Sequence, residues 1–218
     1  MEYILLLTAC INPDGMPFTC LADVGVRKKQ YIEALNFYLK NTTRKIVFVE
    51  NSGTDISSSF KDFQAASDVY KRQEYAMAKS EFITDDVLIF KLTGRLQLIN
   101  INRLIHYMDK LSPSKNFVCV VPPQNNSVDS RCFVCNKYYL ENICLKDKFH
   151  IDDSVGYYFE HLLFDSLRQN KGKIRIHKIP FFLYWRGISG SLGDRLIEPK
   201  CRYWSDFKAL YHCMISKL

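Results

Sequence analysis

The stretch that most restricts what this chain can become is residues 85–95, DDVLIFKLTGR. Val87, Leu88, Ile89 and Phe90 are continuously apolar, which suits a strand buried on both faces of a parallel sheet rather than one with a wet side. The run stops on Lys91, Thr93, Gly94 and Arg95, so two cations, a hydroxyl and a glycine stand where a central strand would open at its carboxyl end. In open α/β sheets, ligands bind outside that end. A charged strand tail that merely reaches solvent has the same local pattern, so the remainder of the chain must decide.

Residues 3–9 (YILLLTA) form a second buried run, followed by a loop marked by Pro13, Asp14, Gly15 and Pro17. A helix is predicted over 24–40 with Ile32, Leu35 and Leu39 on one face. Residues 45–50 (KIVFVE) read as a strand and 51–55 (NSGTD) as a turn, with Asp55 or Ser57 capping a short helix that carries Phe60 and Phe63. After the central strand come a helix over 101–111, capped by Asn100 or Asn102, and a strand over 117–121. This alternation predicts an α/β fold with a mostly parallel, Rossmann-like sheet flanked by helices. The pattern then changes. Residues 131–134 and 138–143 read as strands, 152–170 as a helix opened by Asp152 and Asp153, and 173–179 as a strand, giving a mixed α+β C-terminal half. Residues 203–218 form an amphipathic helix that either closes the core or, through Lys200, Arg202, Lys208 and Lys217, lies on anionic lipid. The division is one domain over 1–218, with halves at 1–123 and 124–218.

A length of 218 residues, 47% hydrophobic and 24% charged, is ample for a core. The net charge of +7 fits an anionic ligand, nucleic acid or membrane surface without choosing among them. Neither a membrane span nor a secretory leader is expected, which places the eight cysteines in a reducing cytoplasm as free thiols. Cys132 and Cys135 form a CxxC inside a predicted strand, where side chains three apart face opposite ways, so zinc is not expected. The five histidines show no metal-ligand spacing. Between Phe60 and Asp85 the expected next strand is missing. Within that interval Ser67–Gln73 (SDVYKRQ) resembles a translated sequencing-adapter scar, which predicts a lost or overwritten segment at about 65–73.

ILLLTACINPDG with VRKKQYIEALNFYLKN, then KIVFVENSGTDIS, IFKLTGRL and RGISGSLGD, resemble in their order the GT-A-type nucleotide-sugar glycosyltransferases. More narrowly they are similar to bacterial cell-surface polysaccharide (capsule or lipopolysaccharide type) enzymes. The resemblance implies a nucleotide-sugar donor beside the first strands and a glycan or lipid-linked acceptor, with catalytic groups, in the second half. The location expected from the absent leader and the free thiols is the cytoplasm, with the basic C-terminal helix offering peripheral contact with the inner membrane surface. Many such enzymes end the strand equivalent to VLIFKLTGR on an Asp-x-Asp that holds Mn or Mg. Here that place reads Lys91-Leu92-Thr93, and Asp85 and Asp86 lie at the opposite end. The expectation is therefore that Lys91 and Arg95 neutralise the leaving phosphate without metal, although Mn or Mg as a cofactor stays open.

The donor-binding candidates are Thr8, Ala9, Asn12, Glu50, Asn51, Gly53, Thr54, Asp55, Lys91, Thr93, Gly94 and Arg95. Arg186, Ser189, Gly190 and Ser191 form a glycine-spaced loop for phosphate or acceptor. It lacks the P-loop lysine and does not follow the first strand. Glu160, set among Tyr157, Tyr158, Phe159 and His161, and Asp153 are the carboxylates available to deprotonate an acceptor hydroxyl. The alternatives are a donor-binding remnant without turnover and a basic nucleic-acid-binding domain. No helix-turn-helix or RNP signature accompanies the charge, so nucleic acid is not expected.

Overall fold

The computed structural model describes residues 2–16, 19–60, 69–70, 80–111, 116–190, 193–196, 199 and 201–216. Its elements run β1 (Glu2–Ala9), α1 (Val24–Asn41), β2 (Lys45–Glu50), β3 (Val69–Tyr70), β4 (Val87–Thr93), β5 (Gln97–Leu98), α2 (Ile101–Lys110), β6 (Phe117–Val120), β7 (Cys132–Asn136), α3 (Lys137–Tyr139), α4 (Phe159–Gln169), β8 (Arg175–Lys178), β9 (Trp185–Ile188), β10 (Arg195–Leu196) and α5 (Arg202–Ile215). Seven strands form the main sheet in the order β3-β2-β1-β4-β7-β6-β8. All pairings are parallel except those of β7, which runs antiparallel to both β4 and β6. A second, antiparallel sheet has the order β10-β9-β5.

The continuous apolar runs arise because the central strands are covered on both faces. From β4, Leu88, Phe90 and Leu92 face α1 and α2, while Val87 and Ile89 face α3 and α4. Strands β1 and β2 divide in the same way. Fully burying one such side chain contributes about 1.5–3 kcal/mol, so a strand used on both faces contributes roughly twice what a half-wet one does. Cys132 joins one core and Cys135 the other, so the two sulfurs of the CxxC lie on opposite faces of β7.

Several expectations change. The buried face of α1 is Arg27, Tyr31, Ala34, Leu35 and Tyr38, whereas Leu39 is exposed. The tyrosines go inside because their hydroxyls find backbone partners: Tyr38 donates to Leu96 O at 2.8 Å and accepts from Leu98 N–H at 2.9 Å. Residues 138–143 are helical rather than extended, running through α3 into a π-helical turn at Leu140–Cys144. The side chain of Asn136 caps this segment by accepting from Tyr139 N–H, which puts Leu140 and Cys144 on the core side. The helix expected from Asp152 begins only at Phe159. Asp152 caps a separate turn, Asp153–Val155, which Gly156 ends at φ 80°. Asn100 makes no side-chain cap to α2. It clamps the backbone of Phe182 and Tyr184 instead. A two-residue strand, β3, pairs with β2 inside the interval where the expected strand could not be read; the rest of 65–73 lies outside the described residues. Finally, none of the residues of α5 is buried, so that helix does not close the core.

Candidate functional site

The carboxyl ends of β1, β2 and β4 lie side by side, because Ala9 pairs with Glu50 and Thr8 with Thr93. Glu50 is 1% exposed and organises the loops that leave these strands. Its carboxylate accepts from Ile11 N–H, Ser52 N–H and Thr54 N–H, each at 2.9 Å, and from the Ser52 hydroxyl. A buried carboxylate with four donors is well satisfied, so Glu50 positions the loops carrying Asn12, Asn51, Gly53 and Thr54. Asn12 is held through its N–H to Ser52 Oγ, and Asn51 N–H donates to Ala9 O. Asp55 is exposed and accepts from Ser57 N–H, which holds its carboxyl below the usual range. The first loop is further held by Arg27, whose buried guanidinium donates to Cys10 O and Leu21 O.

At the end of β4, Gly94 N–H donates to Thr8 O at 2.9 Å. A Cβ at Gly94 would meet that same carbonyl oxygen at 2.9 Å, so only glycine allows this approach of the two strand ends. Arg95 follows, with its guanidinium against Gly190. A Cβ on Gly190 would lie 2.8 Å from Arg95 Cζ. The Nε of Arg95 is buried without a hydrogen-bond partner among the described residues. The loop around Gly190 is pinned by Leu21 N–H to Gly190 O and by Ser189 N–H to Asp194 O. Arg186 lies on β9 opposite Gln97, and Ser191 is outside the described residues.

Lys91 corrects the expectation of a phosphate-neutralising pair. It is 6% exposed, donates to Ser130 O at 2.7 Å, and lies 5.8 and 5.7 Å from the rings of Phe133 and Phe159. As the fifth residue of a strand covered on both faces, it points inward. Burial pushes its pKa down, and the nearby Glu160 carboxylate opposes that shift. Lys91 therefore orders Ser130 and Glu160, leaving Arg95 as the cation at the strand end. Ser130 Oγ donates to Glu160 Oε1 at 2.5 Å. Ser130 lies just before β7, beside the carboxyl end of β4, and so brings Glu160 to the same end of the sheet. Asp153 belongs to the separate turn before Gly156.

The sequence reading missed Asp129 and Arg131. Arg131 grips the Asp129 carboxylate with Nε at 2.8 Å and Nη2 at 2.6 Å, sits 5.5 Å from the Trp185 ring, and accepts Thr93 N–H through its carbonyl. A D-x-R spacing at the entrance to a strand was the available cue.

The fold-implied divalent metal fits poorly at this strand end. Thr93, Gly94 and Arg95 offer no carboxylate, and no group of three or more His, Cys, Asp or Glu that could hold a metal ion occurs among the described residues. No helix among the described residues is long and apolar enough to cross a membrane.

No family model matches this chain, and no curated protein matches it. Solved structures do. A protein of Desulfovibrio desulfuricans G20 described as a nucleotide-diphospho-sugar transferase is 11% identical, with a TM-score of 0.50 over 82% of this chain and 80% of that one. The crystal structure of 4-diphosphocytidyl-2C-methyl-D-erythritol synthase is also 11% identical, with a TM-score of 0.47 over 94% of this chain and 97% of that one. At such identity a likeness speaks to architecture only. The fold is α/β and GT-A-like, a mostly parallel sheet between helices with a mixed C-terminal half.

Proposed function

We propose that this chain is a nucleotide-sugar-dependent glycosyltransferase, moving a sugar from its donor to a surface-polysaccharide or lipid-linked glycan. The observation that carries this reading is the convergence of the parallel strand ends of β1, β2 and β4 on short polar loops, with Arg95 beside Gly94 and Gly190. The loops at 9–12 and 51–55 supply backbone and hydroxyl groups for base and ribose, as at other switch points of open sheets. Arg95 faces the diphosphate and balances the charge that develops as the bond from the sugar C1 to the phosphate oxygen breaks. Glu160, oriented by Ser130, takes the proton from the acceptor hydroxyl as its oxygen bonds to C1. The exposed apolar side of α5, with Tyr203, Trp204, Phe207 and Met214, supports peripheral contact with the inner membrane surface of a bacterium.

Thermal melting against UDP-, GDP- and CMP-sugars, with Mn²⁺ and with EDTA, tests the reading. A matched donor at a hundred times its dissociation constant stabilises by about 2.7 kcal/mol. Arg95→Ala removes that shift, whereas Glu160→Gln keeps it and abolishes sugar transfer. A cooperative melt that no nucleotide sugar moves overturns the donor site. A shift that appears only with Mn²⁺ overturns the metal-free form of the mechanism.

A further inference from the structure

Between α5 and the carboxyl end of β6 lies a cavity of about 330 Å³. Its body wall carries the rings of Phe181 and Trp185 and the Asp129–Arg131 fork, and its helix wall carries Lys208 and His212. At this volume it sits at the small end of ligand pockets, which run from about 300 to 1,000 Å³.

The composition is specific. Phe181 and Trp185 are buried behind the wall, and Phe182, also in the lining and 42% exposed, presents the apolar ring face that can stack on the C–H face of a pyranose. A planar carboxylate–guanidinium fork presents acceptors and donors side by side, in the arrangement that adjacent sugar hydroxyls need. Asp129 and Arg131 cancel in charge. Lys208 has no carboxylate within ion-pair distance among the described residues and stands 5.4 Å from the Trp204 ring. One positive charge, with an imidazole beside it, is thus left over at the helix wall. One lining residue, Arg131, adjoins the strand end that carries Arg95, because its carbonyl oxygen accepts Thr93 N–H at 2.9 Å.

We propose that this cavity binds one sugar ring of the acceptor, and that this ring bears an anionic group, a uronate or a phosphate. The aromatic wall takes the ring, the Asp129–Arg131 fork takes its hydroxyls, and Lys208 with His212 takes the anion. The ligand's role as acceptor rests on the transferase reading; the preference for an anionic sugar does not.

The test is saturation-transfer NMR on the full chain with methyl glucuronide, a methyl hexoside phosphate and neutral methyl glucoside as probes. An anionic probe binds at least tenfold more tightly than the neutral one, and whichever of the two binds identifies the group. Lys208→Glu weakens that binding at least tenfold. Ala209→Trp, which fills the cavity from a helix that contributes nothing to the core, abolishes it. Circular dichroism melts confirm that both variants fold. Equal binding of neutral and anionic probes, no binding of any probe, or binding that survives Ala209→Trp overturns the proposal. The nucleotide-sugar melting shift is unchanged in Lys208→Glu. If that shift is absent from the unaltered chain while glucuronide binding persists, the transferase reading fails and the anionic-sugar site stands.

Discussion

Helix α2 buries Ile101, Leu104, Ile105 and Met108 against the sheet, whereas α5 leaves Tyr203, Trp204, Phe207, Tyr211 and Met214 in solvent. Both carry apolar residues at helical spacing, so amphipathicity alone does not explain the difference. What differs is which side the body holds. Helix α2 lies with its apolar row on the core. Helix α5 is gripped on its polar side: Asp206 accepts from Arg103 at 2.6 Å, from Phe182 N–H at 3.0 Å and from the Tyr184 hydroxyl, while Lys178 Nζ reaches Ser216 O at 2.6 Å. An apolar stripe identifies a face that wants cover. It does not say that the same chain provides it.

The comparison can be broken most sharply at its centre. Leu104→Ala removes a fully buried side chain and should cost about 2–5 kcal/mol by urea denaturation. Leu210→Ala on α5 should stay within about 0.5 kcal/mol. Similar costs for the two would mean that α5 is packed after all. Next in size is Asp206→Ala, which takes the acceptor from Arg103 and from Phe182 N–H, and one of two from the Tyr184 hydroxyl, and should cost about 1–2 kcal/mol, given that the carboxylate is only 26% exposed. Amide exchange should then quicken along α5 and stay slow along α2; equal acceleration would refute the polar clamp. The smallest effect concerns β8, where His177 lies against Phe117 and its neighbour Lys178 holds the end of α5. Burial, and secondarily Arg175, lowers the His177 pKa, so the unfolded chain binds the proton more readily. Stability should therefore fall as pH drops below about 6.5 toward the lowered value, and level off beneath it. His177→Gln should flatten this slope without changing exchange in α5.

The first half was legible because its physics is local. Continuous apolar strands, Gly94 after β4 and the Ile101–Leu104–Ile105–Met108 row all declare themselves by period or by chemistry. Residues 45–50 form a strand as read, and so do residues 132–134 of β7, whose antiparallel placement between β4 and β6 no local pattern announces. What was not legible depended on partners distant in sequence. Tyr31 and Tyr38 face inward because carbonyls and amides of other segments meet their hydroxyls. Lys91 looks like a cleft cation until Ser130 O, thirty-nine residues on, claims it. Residues 138–143 have β-like composition, yet Asn136 starts a helical turn there. Asp129 and Arg131 could be read only as a spacing, since their value comes from Trp185 and α5 beside them.

The antiparallel strand β7 has a consequence for how the molecule can be made or taken apart. Strands β4 and β6 never touch. They are joined only when residues 132–136 slide between them, and β6 also needs β8 on its far side. During synthesis, a chain that has emerged only as far as residue 123 therefore carries an unfinished edge on β4 and a β6 without either neighbour, exposing N–H and C=O rows of the kind that recruit other chains. The same holds for any fragment cut there. A graft exchanging the first 123 residues for those of another protein would also have to carry a matching β7, so the unit that can be inherited or recombined intact is the whole sheet.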